Sequence, residues 1–191
     1  MLTDHPGKAL LFFALPMIFG NLFQQLYNIT DSVIVGRFVG ENALAAVGAS
    51  YAITNVFIAI AIGGGIGSSV IISQFLGAGK IGKMKTAVFT TMINFLMISV
   101  ILGTVGAVFN HQILSWVNTP EDIFSDAALY LAIYFLGIPF LFMYNVQASI
   151  FNSLGDSKRP LYLLIFSSLL NIALDMVFVI CFHQGVRGVA V

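Results

Sequence analysis

The sequence predicts an all-α integral membrane protein, and three observations carry that prediction. Of 191 residues, 59% are hydrophobic and only 8% are charged, whereas a soluble domain carries about 25% charged residues. The apolar residues fall into five runs, each long enough for the roughly 20-residue helix that crosses a bilayer. Lys and Arg, finally, sort into alternate connections between those runs.

The expected spans are roughly 9–35, 51–76, 86–109, 127–154 and 161–182. The first is too long and too polar in its middle for a signal peptide, and no small-residue cleavage site follows a short apolar core. Pro16 in the first span and Pro139 in the fourth each remove a backbone hydrogen bond and can kink the helix. The third is the most uniformly apolar, without charge from Thr86 to Phe109. Lys8, Lys80, Lys83, Lys85, Lys158 and Arg159 lie in one set of connections, Arg37 and Arg187 in the other. That bias places the N-terminus in the cytoplasm. Trp116, the only tryptophan, falls in the 113–117 segment of an external loop and reads as an interfacial anchor. The tail from Gly185 reads as the start of a sixth span, so the sequence is expected to be a piece of a longer chain.

Several classes are disfavoured. A net charge of zero offers no basic patch for nucleic acid. Cys181, the single cysteine, lies in an apolar run and suits packing rather than redox chemistry. His5, His111 and His183 all lie near water without an HExxH or a nucleophile–base spacing. No enzyme activity and no cofactor are expected. The Gly77–Gly82 segment matches GxGxxG, but that motif needs a strand before it and a helix opening at it; a cytoplasmic turn is the better reading. Asn28-Ile29-Thr30 is a glycosylation sequon inside a membrane span, and therefore idle. Gly63 with Gly67, and Gly64 with Ser68, give the four-residue spacing of small residues that lets membrane helices approach closely. The other reading is an unwound segment lining a cavity. The exits of the second and fourth spans also echo one another, each placing a glycine before a lysine.

Two polar stripes are more informative. At about 100° per residue, Asn21, Gln24, Gln25, Asn28 and Asp31 share about a third of the first helix's circumference. Four amides ending in a carboxylate suggest one wall of a polar cavity rather than a single interhelical bond. In the fifth span Ser167, Ser168, Asn171 and Asp175 share a face, with Asn171 and Asp175 one turn apart. An acid inside a membrane is costly enough to be a functional-site hypothesis by default. An amide oxygen and a carboxylate at that spacing can hold a hard cation or share a proton; the structural alternative is an acid satisfied by amides or water. Tyr144, Asn145, Gln147 and Asn152 in the fourth span are expected to face the same cavity.

The stretch from Pro16 through Asp31 to Arg37 resembles the first helix of the MATE family, the multidrug and toxic-compound extrusion transporters. The likeness continues through the 40–48 and 74–79 segments, Asn152 to Lys158, and the tail from Gly185 to Ala190. It implies an N-terminal six-helix bundle, with five complete spans visible in residues 1–191, from a twelve-helix transporter whose C-terminal bundle is absent. Alternating access between two halves needs both bundles. The resemblance implies a secondary antiporter in the plasma or inner membrane that exports cationic or amphipathic compounds in exchange for H+ or Na+. Asp31 matches the family's first-helix cation-coupling acid, and Asn171 with Asp175 match the fifth-helix Asn-x-x-x-Asp of its DinF-like branch. Tyr27 and Asn145 fall at cavity-lining positions; Asn28, Asn171 and Tyr27 are expected to tune the acids by hydrogen bonding, while Gln24 and Gln25 extend the polar wall. Sodium, if it is the coupling ion, would sit at Asp31, Asp175 and Asn171; no other metal is implied. Expected partners are the bilayer, organic cations and the second bundle. The alternatives are a lipid-linked oligosaccharide flippase, which would be expected to carry cationic residues in its cavity, and a non-transporting half-size scaffold.

Overall fold

The computed structural model describes residues 6–182 together with Gly185 and Gly188, and the described residues contain helices and turns but no strand. Five long helices follow one another: α1 (Pro6–Ile34), α2 (Glu41–Gly77), α3 (Ile81–Trp116), α4 (Glu121–Ser153) and α5 (Lys158–Met176). All five are long and apolar enough to cross a membrane. The sixth span expected after residue 185 lies outside the described residues.

The helices outrun their apolar runs. α2 begins at Glu41 rather than near 51, and α3 continues to Trp116, absorbing the segment read as a loop. An apolar run measures the hydrocarbon layer of about 30 Å. The 37 residues of α2 rise about 55 Å at 1.5 Å each. Beyond the hydrocarbon the backbone still needs its hydrogen bonds, and continuing the helix supplies them. Glu41, in the first turn of α2, also suits the positive end of the helix dipole. Trp116 is 78% exposed at the end of α3, as an interfacial anchor would be.

Three helices stop in the same way. After α2 the Lys80 N–H donates to the Phe75 carbonyl at 2.9 Å and the Gly79 N–H to the Leu76 carbonyl at 3.0 Å. After α4, Asp156 and Gly155 make the same pair of bonds to Phe151 and Asn152, and after α3, Thr119 and Asn118 make it to Leu114 and Ser115. This is the Schellman exit, which needs a left-handed residue at its fifth position. Gly79 (φ 69°), Gly155 (φ 84°) and Asn118 (φ 55°) supply it. The GxGxxG match is therefore a helix exit.

α4 is the central helix. Ile123, Ala127, Leu131, Phe135, Ile138, Phe142, Val146 and Ile150 recur at steps of three and four and are all buried. They pack on α2 and α3. Glycines let these helices close up: a Cβ on Gly64 would collide with the Phe95 ring, and one on Gly65 would lie 2.6 Å from Ser149 Oγ. Close packing thus falls on adjacent residues, Gly64 against α3 and Gly65 against α4. Gly63 and Gly67 face open space, and the four-residue pairing read from the sequence is not the one used.

α1 stands apart from this trio and packs chiefly on α5. Gly20 lies against Leu161 and Leu164 in the seam. Each of these two helices runs on into a π-helical turn, Val35–Val39 after α1 and Val177–Cys181 after α5. The turns close with Gly40 N–H to Val35 carbonyl at 3.1 Å and Phe182 N–H to Val177 carbonyl at 3.2 Å, and they touch each other.

Candidate functional site: two carboxyls at the α1–α5 seam

The spacing that put Asp31 and Asp175 each one turn beyond a polar partner also brings them together. Tyr27 and Asp31 lie four residues apart on α1, Asn171 and Asp175 four apart on α5. Across the seam the two carboxyls lie within one another's electrostatic field. Asp175 is 2% exposed, and its Oδ2 is buried without a hydrogen-bond partner; so is Asn171 Oδ1. Unsatisfied buried oxygens at one place demand an explanation. A hard cation, a proton or water fits this all-oxygen donor set. The π turns begin within four residues of each acid, and π turns inside helices recur at functional sites.

The acids adjoin a cavity of about 630 Å³ between α1, α4 and α5. Gln24 and Tyr27 line it from α1, Ser167, Ser168 and Asn171 from α5, and Tyr130, Tyr134 and Tyr144 from α4. Tyr130 and Tyr134 stack with ring centroids 6.4 Å apart, and the Tyr134 hydroxyl is buried without a partner. Tyr27 and Tyr130 both lie in the electrostatic neighbourhood of the two acids. The cavity is thus aromatic on one wall and polar on the other, with a carboxyl pair beyond its polar end. That is the lining a flat, partly polar organic molecule requires.

The polar wall expected along α1 is divided by the structure. Gln24 and Tyr27 face the cavity. Gln25 and Asn28 face away, into a separate crevice of about 760 Å³ between α1 and α2, where Asn28 Nδ2 donates to Gln25 Oε1 at 3.4 Å. A stripe a third of a circumference wide is too broad for one cavity, and two neighbours divide it. Asn21 is exposed and lines neither. Asn145 is also not where the sequence reading put it: it is absent from the cavity lining and donates back to the Leu141 carbonyl at 2.8 Å, with its backbone beside Gly65. An amide in a tightly packed seam satisfies itself on its own helix. Tyr144 does line the cavity, while Tyr130 and Tyr134 were missed. Their signal was present as a tyrosine pair four apart on the helix facing both acids, hidden among abundant aromatics.

A bundle of membrane-length helices with a buried acid at the α1–α5 seam defines a polytopic membrane protein. The MatE family model matches residues 16–177, and the chain belongs to that family. It is 34% identical over 167 residues to the probable multidrug resistance protein YoeA of Bacillus subtilis strain 168, covering 87% of this chain and 36% of the relative. With the probable multidrug resistance protein YpnP of the same strain it shares 32% over 183 residues, 96% of this chain and 41% of the relative. Among solved structures, an outward-facing multidrug resistance MATE family transporter of the MOP superfamily superposes with a TM-score of 0.92 at 27% identity, over 98% of this chain and 41% of that one. The chain therefore spans about two fifths of the length of the proteins it matches.

Proposed function

We propose that this chain is the N-terminal bundle of a secondary antiporter that exports cationic or amphipathic compounds in exchange for H+ or Na+. The observation that carries the reading is the carboxyl pair of Asp31 and Asp175 beside the unpartnered Asn171 oxygen. Two carboxylates that feel one another's field away from bulk water repel, and a bound cation or proton between them relieves that repulsion. Loading the pair draws α1 and α5 together; emptying it lets them part. Because the cavity lies along the same two helices, ion loading and cavity shape change together. Coupling then follows, since an ion and a solute that favour different arrangements of one seam compete. Tyr27, Asn171 and Gln24 orient the site, and the aromatic wall of α4 receives the solute. The N-terminus faces the cytoplasm of the plasma or inner membrane, and the second bundle completes the transport path. Multidrug names among the relatives support this substrate class.

The test is uptake of a fluorescent organic cation into inverted vesicles carrying the full-length protein. An imposed proton or sodium gradient should drive uptake, and Asp31→Asn at normal membrane levels should abolish it. Full gradient-driven uptake in that variant would sink the scheme, and the gradient that works names the ion.

A further inference from the structure

The crevice between α1 and α2 is a separate space on the other side of α1 from the acids, and the site described above does not use it. One wall is Gln25, Asn28, Ser32 and Arg37; the other includes Gly48 and Tyr51. Apolar length alone ends the first span near 35 and places Arg37 in a connection. The structure instead carries the helix through the π turn Val35–Val39, so Arg37 stands on the same continuous wall as the amides. From Ser32 to Arg37 is a step of five residues. Both nevertheless line the crevice, Ser32 from α1 and Arg37 from the π turn. The only ion pair among the described residues is between Arg159 and Asp156, so Arg37 has no carboxylate partner there. Gly48 borders open space in the crevice wall, with nothing within 4 Å of where a Cβ would be. Asn28 and Arg37 are nine residues apart, about 13 Å at helical rise, the length of a small drug-like molecule.

We propose that this crevice binds an amphipathic solute bearing a carboxylate or phosphate, with Arg37 holding the anionic group. The guanidinium presents a planar fork of donors that matches either anion. Tyr51 offers an aromatic face to the apolar body, and Gln25 and Asn28 hydrogen-bond its polar substituents. This deepens the export reading and rests on it for direction: the solutes moved would include zwitterions and anions, selected by Arg37, as well as simple cations. α1 would then carry ion chemistry on one side and solute recognition on the other.

Binding tests the idea without any need for transport. The full-length protein, purified in a neutral detergent free of anionic lipid, is titrated with dansylglycine and with its methyl ester. The pair differs only in the charge. The acid is expected to bind at least tenfold more tightly than the ester. Arg37→Gln should bring the two within about twofold, Arg37→Lys should keep most of the preference, and Tyr51→Ala should weaken both alike. Equal binding of acid and ester by the wild type overturns the proposal, as does a preference that survives Arg37→Gln. Either result would be expected if the crevice serves only to dock the second bundle or to touch lipid phosphate. A charge preference without gradient-driven uptake would instead leave the site standing and sink the transport reading.

Discussion

The trio α2–α4 and the pair α1–α5 are built from similarly apolar helices and treat their polar groups in opposite ways. In the trio, the polar side chains inside the packed core are bonded; the buried unpartnered atoms of α4 are Asn152 Oδ1 and the Tyr134 hydroxyl, which lines the cavity toward α1 and α5. Ser50 donates to the Ala46 carbonyl at 2.9 Å, Ser99 to Leu96 at 2.8 Å, and Asn110 reaches across to Ala128 at 3.3 Å. Phe135 and Phe142 are fully buried between them, and Phe57 meets Phe135 edge-on at 5.2 Å. In the pair, by contrast, Asp175 and Asn171 keep buried oxygens without partners, and both helices end in π turns. A core whose polar groups are bonded is set to stay still. A region that leaves oxygens waiting is set to bind something and respond.

The largest effect should come from breaking the pair. Asp31→Asn or Asp175→Asn should cut gradient-driven export by at least a hundredfold while the thermal unfolding midpoint in detergent moves by only a few degrees. The trio should show the reverse. Phe135→Ala, which empties a fully buried site, should cost about 3 kcal/mol of stability, read by denaturant titration, while any protein that still folds keeps its gradient dependence. Smaller effects sharpen the boundary. Tyr130→Phe keeps the stacked ring and removes only a hydroxyl, so solute export should fall about threefold to tenfold with stability intact. Asn110→Leu removes one interhelical bond and should cost about 0.6–1.7 kcal/mol without altering export. Asn145→Ala should be close to silent in export, because its amide serves only its own helix; a large loss would return it to the cavity.

The sequence made much of this legible, and its failures have physical causes. The five spans follow from apolar length alone, and the acids stood out because charge in hydrocarbon is rare. The Asn171–Asp175 spacing pointed to one face of α5, and the structure keeps it. Helix ends were placed short because hydropathy reports the hydrocarbon layer rather than the end of hydrogen bonding. Which side of α1 each amide faces depends on its neighbours. Gln24 and Gln25 are adjacent in sequence and sit in different cavities. Neither π turn has a compositional signature, so apolar length ended the first span near 35, and only the family resemblance carried the helix on to Arg37. Tyr130 and Tyr134 were hidden for a statistical reason: in a chain with 18 Phe and 6 Tyr, another aromatic pair carries little signal.

The central claim is that Asp31 and Asp175 form one ion site rather than two. Its most direct test compares gradient-driven uptake in Asp31→Asn, Asp175→Asn and the double variant, at matched membrane levels. A single shared site predicts that each single change abolishes coupling and that the double change adds nothing. Substantial coupled uptake in Asp175→Asn with Asp31 intact would contradict it, and would leave Asp31 as the site by itself.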